Sequence, residues 1–400
     1  MNEGLFAGLA PAAPDPILGV SAKFAADTRE NKVNLSVGVY LDDNGKTPVL
    51  DVVHDEEVAL AAKRLAHSYT AIRGLPEYCA NVQKMVFGAD SDIVKTGRAA
   101  TVQTLGGTGA LKVGIDFSRH VMGVTVGSSS QPTWGNHDSI MSFEGLDVIK
   151  YRYYDRANDA VDFNGMVEDI DALPKGSLVI LHSCCHNPTG YDLSHEQWKV
   201  ILELCQKKGL LPFLDMAYQG FKEGLAPDAY AIRLFAQSGM DFLVATSYSK
   251  SFGLYCERVG ALTVVTQNAD QAKVVLSQLE GVIRCNYSNP PAFGGRIVQA
   301  VLGDPEKYQR WSDELDGMRE RIISMRHALV DEMQRLGAKR DFSFVTRQAG
   351  MFSFTGFTPE QVAVLRDDYA IYALKNGRIC ICGLNTHNVN YVAKAFCDVL

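Results

Sequence analysis

Short, uninterrupted apolar runs alternate with segments of helical periodicity between about residues 50 and 280 of the chain. The clearest runs lie at 178–184, 210–214 and 242–246, and helices are predicted around 196–207 and 228–237. Strands that are apolar on both faces belong to a sheet covered on both sides, and strands that alternate with helices usually pair in parallel. The pattern therefore predicts an α/β fold with a mostly parallel sheet between layers of helices.

The pattern changes after about residue 305. It predicts a long charged amphipathic helix at 307–336, short strands at 342–345 and 351–354, a helix from about 359, a strand at 379–382 and a last helix from about 388. The long helix should turn one apolar face to the core, made of Trp311, Leu315, Met318, Ile322 and Met325.

These two patterns predict two domains. The alternating segments form a large domain over residues 46–305. Residues 306–400 form a smaller α+β domain, joined by residues 1–45 with an N-terminal arm.

The composition narrows the classes of function. The chain has 400 residues, of which 46% are hydrophobic, and its formal net charge is −7 because 46 acidic residues outnumber 39 basic ones. This mild acidity argues against a nucleic-acid partner. No long apolar run and no basic N-terminal segment is found, which argues against a membrane span and an export signal. Nine cysteines, an odd number, favour reduced thiols in the cytoplasm.

The cysteines and histidines near residue 185 receive a structural interpretation. Adjacent residues such as Cys184 and Cys185 are badly placed to share one tetrahedral ion, so we expect no metal site. His182 and His186 are interpreted as structural histidines with satisfied ring nitrogens.

Polar residues follow three of the predicted strands, at the point where each strand ends. The strand at 178–184 runs into HNPTG, with Asn187; the next runs into Asp215 and Tyr218; the third runs into SYSK, with Ser247 and Lys250. The carboxyl ends of parallel strands meet at one edge of a sheet, where ligands bind. A lysine amine that forms a Schiff base, a carboxylate for a pyridinium nitrogen and a phenol for its neighbouring oxygen suit pyridoxal phosphate.

Two further features suit the phosphate of that cofactor. The run TLGGTGAL at 104–111 leads from a strand into a helix, so the backbone N–H groups of Gly106, Gly107 and Thr108 would point at an anion. Arg258, eight residues after Lys250, is a candidate guanidinium for the same group. A glycine turn alone is equally consistent with a plain tight turn between strand and helix.

Several long motifs in the correct order closely resemble the aspartate and aromatic aminotransferases of fold type I. They are TLGGTGAL, HNPTG, DMAYQGF, SYSKSFGLYCERVG and NYSNPP, and the similarity extends from Asp15 to the C-terminal helix. The resemblance implies a transaminase that uses pyridoxal 5′-phosphate and works by a ping-pong mechanism as a homodimer. Its partners would be small amino acids and 2-oxo acids.

The resemblance also implies a role for each cofactor-binding residue. Lys250 would carry the cofactor as a Schiff base and then act as general base and acid. Asp215, supported by His137, would pair with the pyridine nitrogen, and Tyr218 and Asn187 would bond the phenolic oxygen. Trp134 would stack on the ring. The phosphate would be held by Ser247, Arg258, Gly107, Thr108 and, from the other subunit, Tyr69.

For the substrate, the resemblance implies two arginines at opposite ends of a slot. Arg378 would bind the α-carboxylate together with Asn187 and Gly38. Arg284 of the partner subunit would bind the distal carboxylate, which implies shared active sites. Two guanidinium groups that each grip a carboxylate bidentately would select dicarboxylates such as aspartate and glutamate.

The motifs leave the amino-acid preference open. GLNTHNVNYVAKAF and DAYAIR are similar to the aromatic branch of the family. Val39, Thr47, Thr108 and Asn289 are more similar to the aspartate branch, and Leu41 and Ser68 fit neither. We expect a broad enzyme with aspartate and 2-oxoglutarate as the main pair, and keep strict aspartate specificity or a mainly aromatic preference as alternatives.

Two other kinds of chemistry are alternatives. Decarboxylation or β-elimination on the same cofactor is one, although two substrate arginines argue against it. The short patterns Ser247-x-x-Lys250, Tyr287-x-Asn289 and Lys95-Thr-Gly97 match the signatures of penicillin-recognising serine acyl-enzymes. Their order along the chain is wrong for that fold, since the Lys-Thr-Gly pattern comes first.

Overall fold

The computed structural model describes residues 4–12, 15 and 18–400. Its helices are α1 (Leu18–Ala26), α2 (Asp51–Ala62), α3 (Pro76–Phe87), α4 (Asp92–Thr96), α5 (Gly106–Asp116), α6 (Gly135–Phe143), α7 (Phe163–Asp171), α8 (His195–Lys208), α9 (Leu225–Asp228), α10 (Tyr230–Gln237), α11 (Ala269–Asn286), α12 (Phe293–Gly303), α13 (Pro305–Arg335), α14 (Pro359–Tyr369) and α15 (Val389–Val399). Phe117–Val121 is a π-helical turn, and Ser343–Arg347 and Ile381–Gly383 are 3₁₀ turns. None of the described helices is both long and apolar enough to cross a membrane.

The strands are β1 (Val33–Asn34), β2 (Ala99–Leu105), β3 (Val126–Gln131), β4 (Asp147–Arg152), β5 (Tyr154–Asp155), β6 (Ala160–Val161), β7 (Leu178–His182), β8 (Leu211–Met216), β9 (Phe242–Ser247), β10 (Val259–Val265), β11 (Phe352–Phe354), β12 (Ile371–Tyr372) and β13 (Arg378–Cys380). Seven of them form the main sheet in the order β2-β10-β9-β8-β7-β3-β4. Strand β10 is antiparallel to both of its neighbours, and the other pairs are parallel. The predicted fold class is confirmed.

The unbroken apolar character of the central strands follows from burial on both faces. In β9, Leu243 and Ala245 belong to a core shared with α5, α6 and α11. Phe242 and Val244 point the other way, into a larger core that includes side chains of α3, α8, α10 and α12. Because successive side chains of a strand alternate between faces, both faces of this sheet exclude water.

The sheet register brings the polar strand ends together as predicted. His182 at the end of β7 lies opposite Asp215 in β8, and Asp215 lies opposite Ala245, two residues before the end of β9. The residues that follow these strands therefore meet at one edge of the sheet.

The long helix α13 anchors the C-terminal part of the chain, and its cap is visible in the sequence. Asp304 accepts hydrogen bonds from the backbone N–H groups of Glu306 and Lys307, and Pro305 occupies the first helical position. All five residues predicted for its inner face are buried. Trp311 stacks on Phe252 with ring centroids 4.4 Å apart and donates its indole N–H to the carbonyl of Ser251 at 2.7 Å. The helix thus holds the loop that directly follows Lys250.

The division into domains at residues 46 and 305 stays a proposal.

Two predicted strands differ from the structure. Residues 342–345 form no strand, because Asp341 accepts hydrogen bonds from both the backbone N–H and the hydroxyl of Ser343 and so starts the 3₁₀ turn. The predicted strand at 379–382 is shorter, since it ends at Cys380 and the N–H of Leu384 closes a turn onto the carbonyl of Ile381 at 3.0 Å.

Two helical glycines, one packed against the sheet and one exposed, test how tightly the helices pack. A Cβ atom at Gly114 in α5 would lie 2.6 Å from ring carbons of Phe213, whereas a Cβ atom at Gly317 in α13 would meet no atom of the described residues within 4 Å. We expect Gly114→Ala to lower the free energy of unfolding by about 1–3 kcal/mol through overpacking. Gly317→Ala should raise it by about 0.5–1 kcal/mol through helix propensity. Urea unfolding measures both, and stabilisation by Gly114→Ala would contradict the packing described here.

Candidate active site

A cavity of about 550 Å³ lies at the carboxyl ends of β7, β8 and β9. Most of the residues predicted for cofactor and substrate line it: Gly38, Gly107, Thr108, Trp134, Asn187, Asp215, Tyr218, Ser247, Lys250, Arg258 and Arg378. Strand-end loops of the sheet supply most of these side chains, while Gly38 and Arg378 come from outside the main sheet. The cavity therefore lies where the sheet meets the C-terminal part of the chain.

Lys250 provides an amine at the centre of the cavity. Its Nζ atom lies 4.9 Å from the ring centroid of Tyr218. Burial lowers the pKa of Lys250 from about 10.5 to about 8, with a smaller contribution from the charge of Arg258, although the charge of Asp215 acts in the opposite direction. Roughly a tenth of the amine is then neutral at pH 7, against far less than a hundredth for an ordinary lysine, so Lys250 can act as a nucleophile near neutral pH. Burial likewise raises the pKa of Tyr218, which stays a protonated phenol.

Asp215 is a buried carboxylate fixed by His137. Its Oδ2 atom lies 3.0 Å from Nε2 of His137, whose Nδ1 atom lies 2.8 Å from the hydroxyl of Thr133. Burial alone would raise the pKa of Asp215, but the hydrogen bond from His137 and the nearby positive charges outweigh it, so the pKa is lowered. An ionised carboxylate in this position suits a protonated pyridine nitrogen.

The two neighbouring histidines differ from each other. His186 lies within 2.9 Å of the Ser130 hydroxyl and 2.8 Å of the Thr189 hydroxyl, as a structural histidine should. His182 lines the cavity, and neither of its ring nitrogens has a hydrogen-bond partner among the residues that the structure describes, so the prediction of satisfied nitrogens is wrong for this residue. Burial lowers the pKa of His182 to about 3, and the imidazole is therefore neutral. Because it stays uncharged, it does not compete with a cofactor for Asp215.

One end of the cavity fits an anion. Strand β2 leads into Gly106, which has φ +68°, and the N-terminus of α5 opens into the cavity. A Cβ atom at Gly106 would lie 2.7 Å from Nη2 of Arg258, and one at Gly107 would lie 3.1 Å from Cβ of Ser247. Glycine is thus required for the guanidinium and the hydroxyl to approach the helix N-terminus. Backbone N–H groups, a guanidinium and a hydroxyl together match the needs of a phosphate group.

The other end of the cavity holds a buried guanidinium. Arg378 donates to the Asn187 side-chain oxygen at 3.2 Å and to the Ser36 carbonyl at 2.6 Å, while its Nε has no partner in the described ranges of the chain. Its Cζ atom lies 4.2 Å from the ring centroid of Phe352. No ion pair to Arg378 is found in the described part of the chain, and burial lowers its pKa. Such a guanidinium fits a carboxylate ligand.

Tyr69 and Arg284 do not reach this cavity. They line a separate hollow of about 720 Å³ together with Ser288, Asn289 and Pro290. Tyr69 is 92% exposed, and Arg284, which is also exposed, donates to the Ser288 hydroxyl at 2.5 Å. Within one chain these two residues lie beside each other and apart from the other predicted site residues.

The family model for aminotransferases of class I and II matches residues 30–396. The chain belongs to this family. It is 48% identical to the aspartate aminotransferase of Pseudomonas aeruginosa over 99% of this chain and all of that protein. The structure of an aromatic-amino-acid aminotransferase from Burkholderia pseudomallei covalently bound to pyridoxal phosphate matches with a TM-score of 0.97 and 48% identity, covering both chains fully. A psychrophilic aromatic amino acids aminotransferase from Psychrobacter sp. B6, cocrystallised with aspartic acid, matches with a TM-score of 0.97 and 43% identity over 99% of each chain.

Membership of this family confirms the resemblance, and the chain is a transaminase that uses pyridoxal phosphate. The geometry fits that cofactor, since the cavity has a phosphate cradle at one end and an ionised buried carboxylate and an amine at its centre. The serine acyl-enzyme alternative is rejected. Its Lys95-Thr-Gly97 pattern lies at the end of α4, where Lys95 pairs with Asp90 at 3.5 Å, and does not line the cavity.

Sequence reasoning missed several residues that line the aminotransferase cavity: Leu18, His182, Ser249, Tyr255 and Phe352. Ser249 and Tyr255 belong to the SYSKSFGLYCERVG motif, so their position in the sequence was a usable signal. The hydroxyl of Tyr255 accepts a hydrogen bond from the N–H of Tyr40 at 2.8 Å and thereby joins the SYSK loop to the N-terminal segment. Phe352 lies in a short strand with no motif that points to the site.

The depressed pKa of Lys250 predicts how the aminotransferase captures its cofactor. The neutral amine attacks the aldehyde, so the rate at which apoenzyme binds pyridoxal phosphate covalently should rise with pH through about 8 instead of the ordinary 10.5. The charge of Asp215 raises the pKa of Lys250, so Asp215→Ala should move the midpoint to lower pH. Borohydride trapping followed by mass spectrometry measures the adduct, and Lys250→Ala is the blank. A midpoint near 10.5, or an upward movement in Asp215→Ala, would contradict this assignment.

Proposed function

We propose that this aminotransferase transfers the amino group between L-aspartate and 2-oxoglutarate and also accepts aromatic amino acids. The observation that carries the proposal is the cavity with a phosphate cradle at one end, Lys250 and Asp215 at its centre and the buried guanidinium of Arg378 at the other end. Relatives of this chain include both aspartate and aromatic-amino-acid aminotransferases, which supports the broad substrate range.

Bound pyridoxal phosphate would supply an electron sink for the electrons released at the substrate Cα. Asp215, oriented by His137, would keep the proton on the pyridine nitrogen. Tyr218 and Asn187 would hold the phenolic oxygen, and Trp134, which is half-buried and edge-on to His137 at 5.5 Å, would pack on the ring. Gly107, Thr108, Ser247, Arg258 and Tyr69 of the partner subunit would hold the phosphate.

Lys250 moves the proton. Its amine would take the Cα proton of the substrate as general base and give a proton back as general acid. A group with a pKa of about 8 is suited to both steps near neutral pH, and such catalysis typically contributes about 10²–10⁴-fold. Burial raises the pKa of the nearby Tyr218, so its phenol stays protonated, and its ring centroid lies 4.9 Å from Nζ of Lys250.

Substrate orientation depends on two guanidinium groups. Arg378 and Asn187, with the backbone at Gly38, bind the α-carboxylate that every substrate shares. Arg284 of the partner subunit binds the distal carboxylate of aspartate or 2-oxoglutarate. An aromatic side chain makes no such bond, so Arg284 keeps its water or turns aside when an aromatic substrate binds.

The proposal includes a homodimer with shared active sites. Exposure of Tyr69 and Arg284 beside one hollow supports it, because both residues are then available to a neighbouring subunit. We also propose that the enzyme works in the cytoplasm, which is supported by its nine free cysteines.

A single half-reaction tests the substrate range. Enzyme loaded with pyridoxal phosphate is mixed with L-aspartate or L-phenylalanine and no oxo acid. We expect a stoichiometric amount of oxaloacetate or phenylpyruvate, since one amino group is transferred to each cofactor. Product from aspartate alone would establish the strictly aspartate-specific alternative, and product from phenylalanine alone the aromatic one. Amino acid lost without a stoichiometric oxo acid would refute transamination.

Mixed dimers test whether the sites are shared. Lys250→Ala and Arg284→Leu homodimers should both be poor aspartate aminotransferases. Random mixing of the two chains should restore about a quarter of the wild-type activity, because half of the dimers are mixed and each has one intact site.

Lys250→Ala mixed with Arg378→Leu is the matched control. Lys250 and Arg378 line the same cavity of one chain, so this mixture should regain nothing. Recovery in the control, or no recovery in the Arg284 mixture once mixed dimers are verified by mass spectrometry, would refute the shared site.

A further inference from the structure

Arg326 is a buried cation in α13 with an unusual set of partners. It is 2% exposed, and in the part of the chain that the structure describes no carboxylate lies within ion-pair distance of its guanidinium. Instead it donates to the carbonyl oxygens of Val345 at 2.9 Å, Gly350 at 2.7 Å and Phe352 at 2.7 Å, and to the hydroxyl of Ser353. Burial lowers its pKa to about 10, so it remains charged at neutral pH.

All four acceptors belong to one stretch of chain, residues 345–353, which we name the 345–353 segment. The hydrogen bonds come from both terminal nitrogens of the guanidinium, whereas its Nε has no partner among the described residues, and leaving a buried charge with no acceptors would be costly. The segment therefore cannot move away from Arg326 without exposing several donors at once. Arg326 fixes the backbone of Phe352 directly through that residue's carbonyl.

The opposite side of the 345–353 segment packs against the HNPTG turn, which carries Asn187. The N–H of Ala349 donates to the carbonyl of Gly190 at 2.7 Å. Gly350, with φ +77°, is so close that a Cβ atom there would lie 2.5 Å from Cβ of Cys185. The segment thus lies between Arg326 and the turn that carries one of the two side chains proposed to bind the α-carboxylate.

The ring of Phe352 lies behind Arg378, which is the other side chain proposed to bind the α-carboxylate. It stacks under the guanidinium of Arg378 at 4.2 Å and is edge-on to Tyr218 at 5.8 Å. A Cβ atom at Gly38 would lie 2.7 Å from its Cζ atom, so the ring also faces the backbone at Gly38. A shift of Phe352 would displace the plane of Arg378 and alter the width of the slot at Gly38.

We propose that Arg326 is a positioning residue for substrate binding, which holds Phe352 and the HNPTG turn so that Arg378 and Asn187 face the α-carboxylate together. The inference rests on the proposed function, because it takes Arg378 as the α-carboxylate anchor. Arg326 touches neither the substrate nor the cofactor and acts only through the 345–353 segment.

Arg326→Met tests the proposal, since it keeps the length of the stem and removes the guanidinium. We expect KM for aspartate, phenylalanine and 2-oxoglutarate to rise together, each roughly tenfold or more, because all share the α-carboxylate. The affinity for pyridoxal phosphate should change less than about twofold, since the phosphate cradle is at the other end of the cavity. Binding of succinate, a dicarboxylate with no amino group to transfer, should weaken by a similar factor in calorimetry, independently of turnover.

Arg340→Met is the matched control for general destabilisation of the same part of the chain. Arg340 also donates to a backbone carbonyl, that of Thr355 at 2.8 Å, but makes no hydrogen bond to the 345–353 segment. It should lower the melting temperature and leave each KM within about twofold of wild type. If Arg326→Met behaves in the same way, with a lower melting temperature and unchanged KM, Arg326 is only structural and the proposal is overturned.

Two more variants keep the test decisive. If Arg326→Met does not fold, Arg326→Lys decides, because an ammonium cannot reach all four acceptors and should still raise KM severalfold; an unchanged KM there overturns the proposal. In Phe352→Leu the same rise in KM is expected, and adding Arg326→Met should increase it by less than about twofold. Fully multiplicative effects would show that Arg326 does not act through Phe352. Absence of any turnover in the wild type would instead refute the proposed function.

Discussion

The buried carboxylate of Asp215 is the constraint on which the rest of the site depends. A carboxylate at the end of an apolar strand is stable only when it is hydrogen-bonded and faces positive charge. His137 supplies the hydrogen bond and is itself oriented by Thr133. His182, which could have competed for the same oxygen atoms as a cation, is held neutral by burial. The negative charge is therefore directed at the cavity, where it raises the pKa of Lys250 against the effect of burial.

The two ends of the cavity are built by different means. The phosphate end depends on absence of side chains, because Gly106 and Gly107 let Arg258 and Ser247 approach the N-terminus of α5. The carboxylate end depends on long-range packing, since Arg378 is held between the carbonyl of Ser36, the side chain of Asn187 and the ring of Phe352. The first end is encoded within a few residues of sequence, and the second requires the whole chain to fold.

This difference explains what the sequence could predict. Burial on both faces gives the central strands an unbroken apolar pattern, and the polar residues after them mark the edge of the sheet that carries the site. Both features can therefore be predicted from the sequence. The inner face of α13 can be predicted from its helical period. The turn at residues 343–347 was misjudged, because its conformation follows from a cap at Asp341 that competes with an apolar strand pattern.

The remaining errors and omissions concern contacts that no local pattern records. The ring nitrogens of His182 were predicted to be hydrogen-bonded, because no pattern in the surrounding sequence indicates that they lack partners among the described residues. The involvement of Phe352 and Arg326 became visible only when residues 326, 345–353 and 378 were brought together. Arg284 and Tyr69 were assigned through the resemblance alone, since one chain does not bring them to the cavity.

The distribution of charge around the cavity bears on which substrates it favours. The chain as a whole has a formal net charge of −7. Among the described residues that line the cavity, Asp215 is the one acidic side chain and would pair with the cofactor's ring nitrogen, while Arg258 would pair with its phosphate, so Arg378 is the basic side chain left for a substrate. Arg326 adds another uncompensated positive charge behind Phe352. A cleft with low-dielectric walls focuses such a field, which raises the local concentration of anions.

The doubly charged 2-oxoglutarate and the singly charged aspartate gain from this field. An aromatic amino acid, with no net charge at neutral pH, must bind through its α-carboxylate and its apolar surface alone. The same scaffold can therefore accept both classes while the field favours the dicarboxylates.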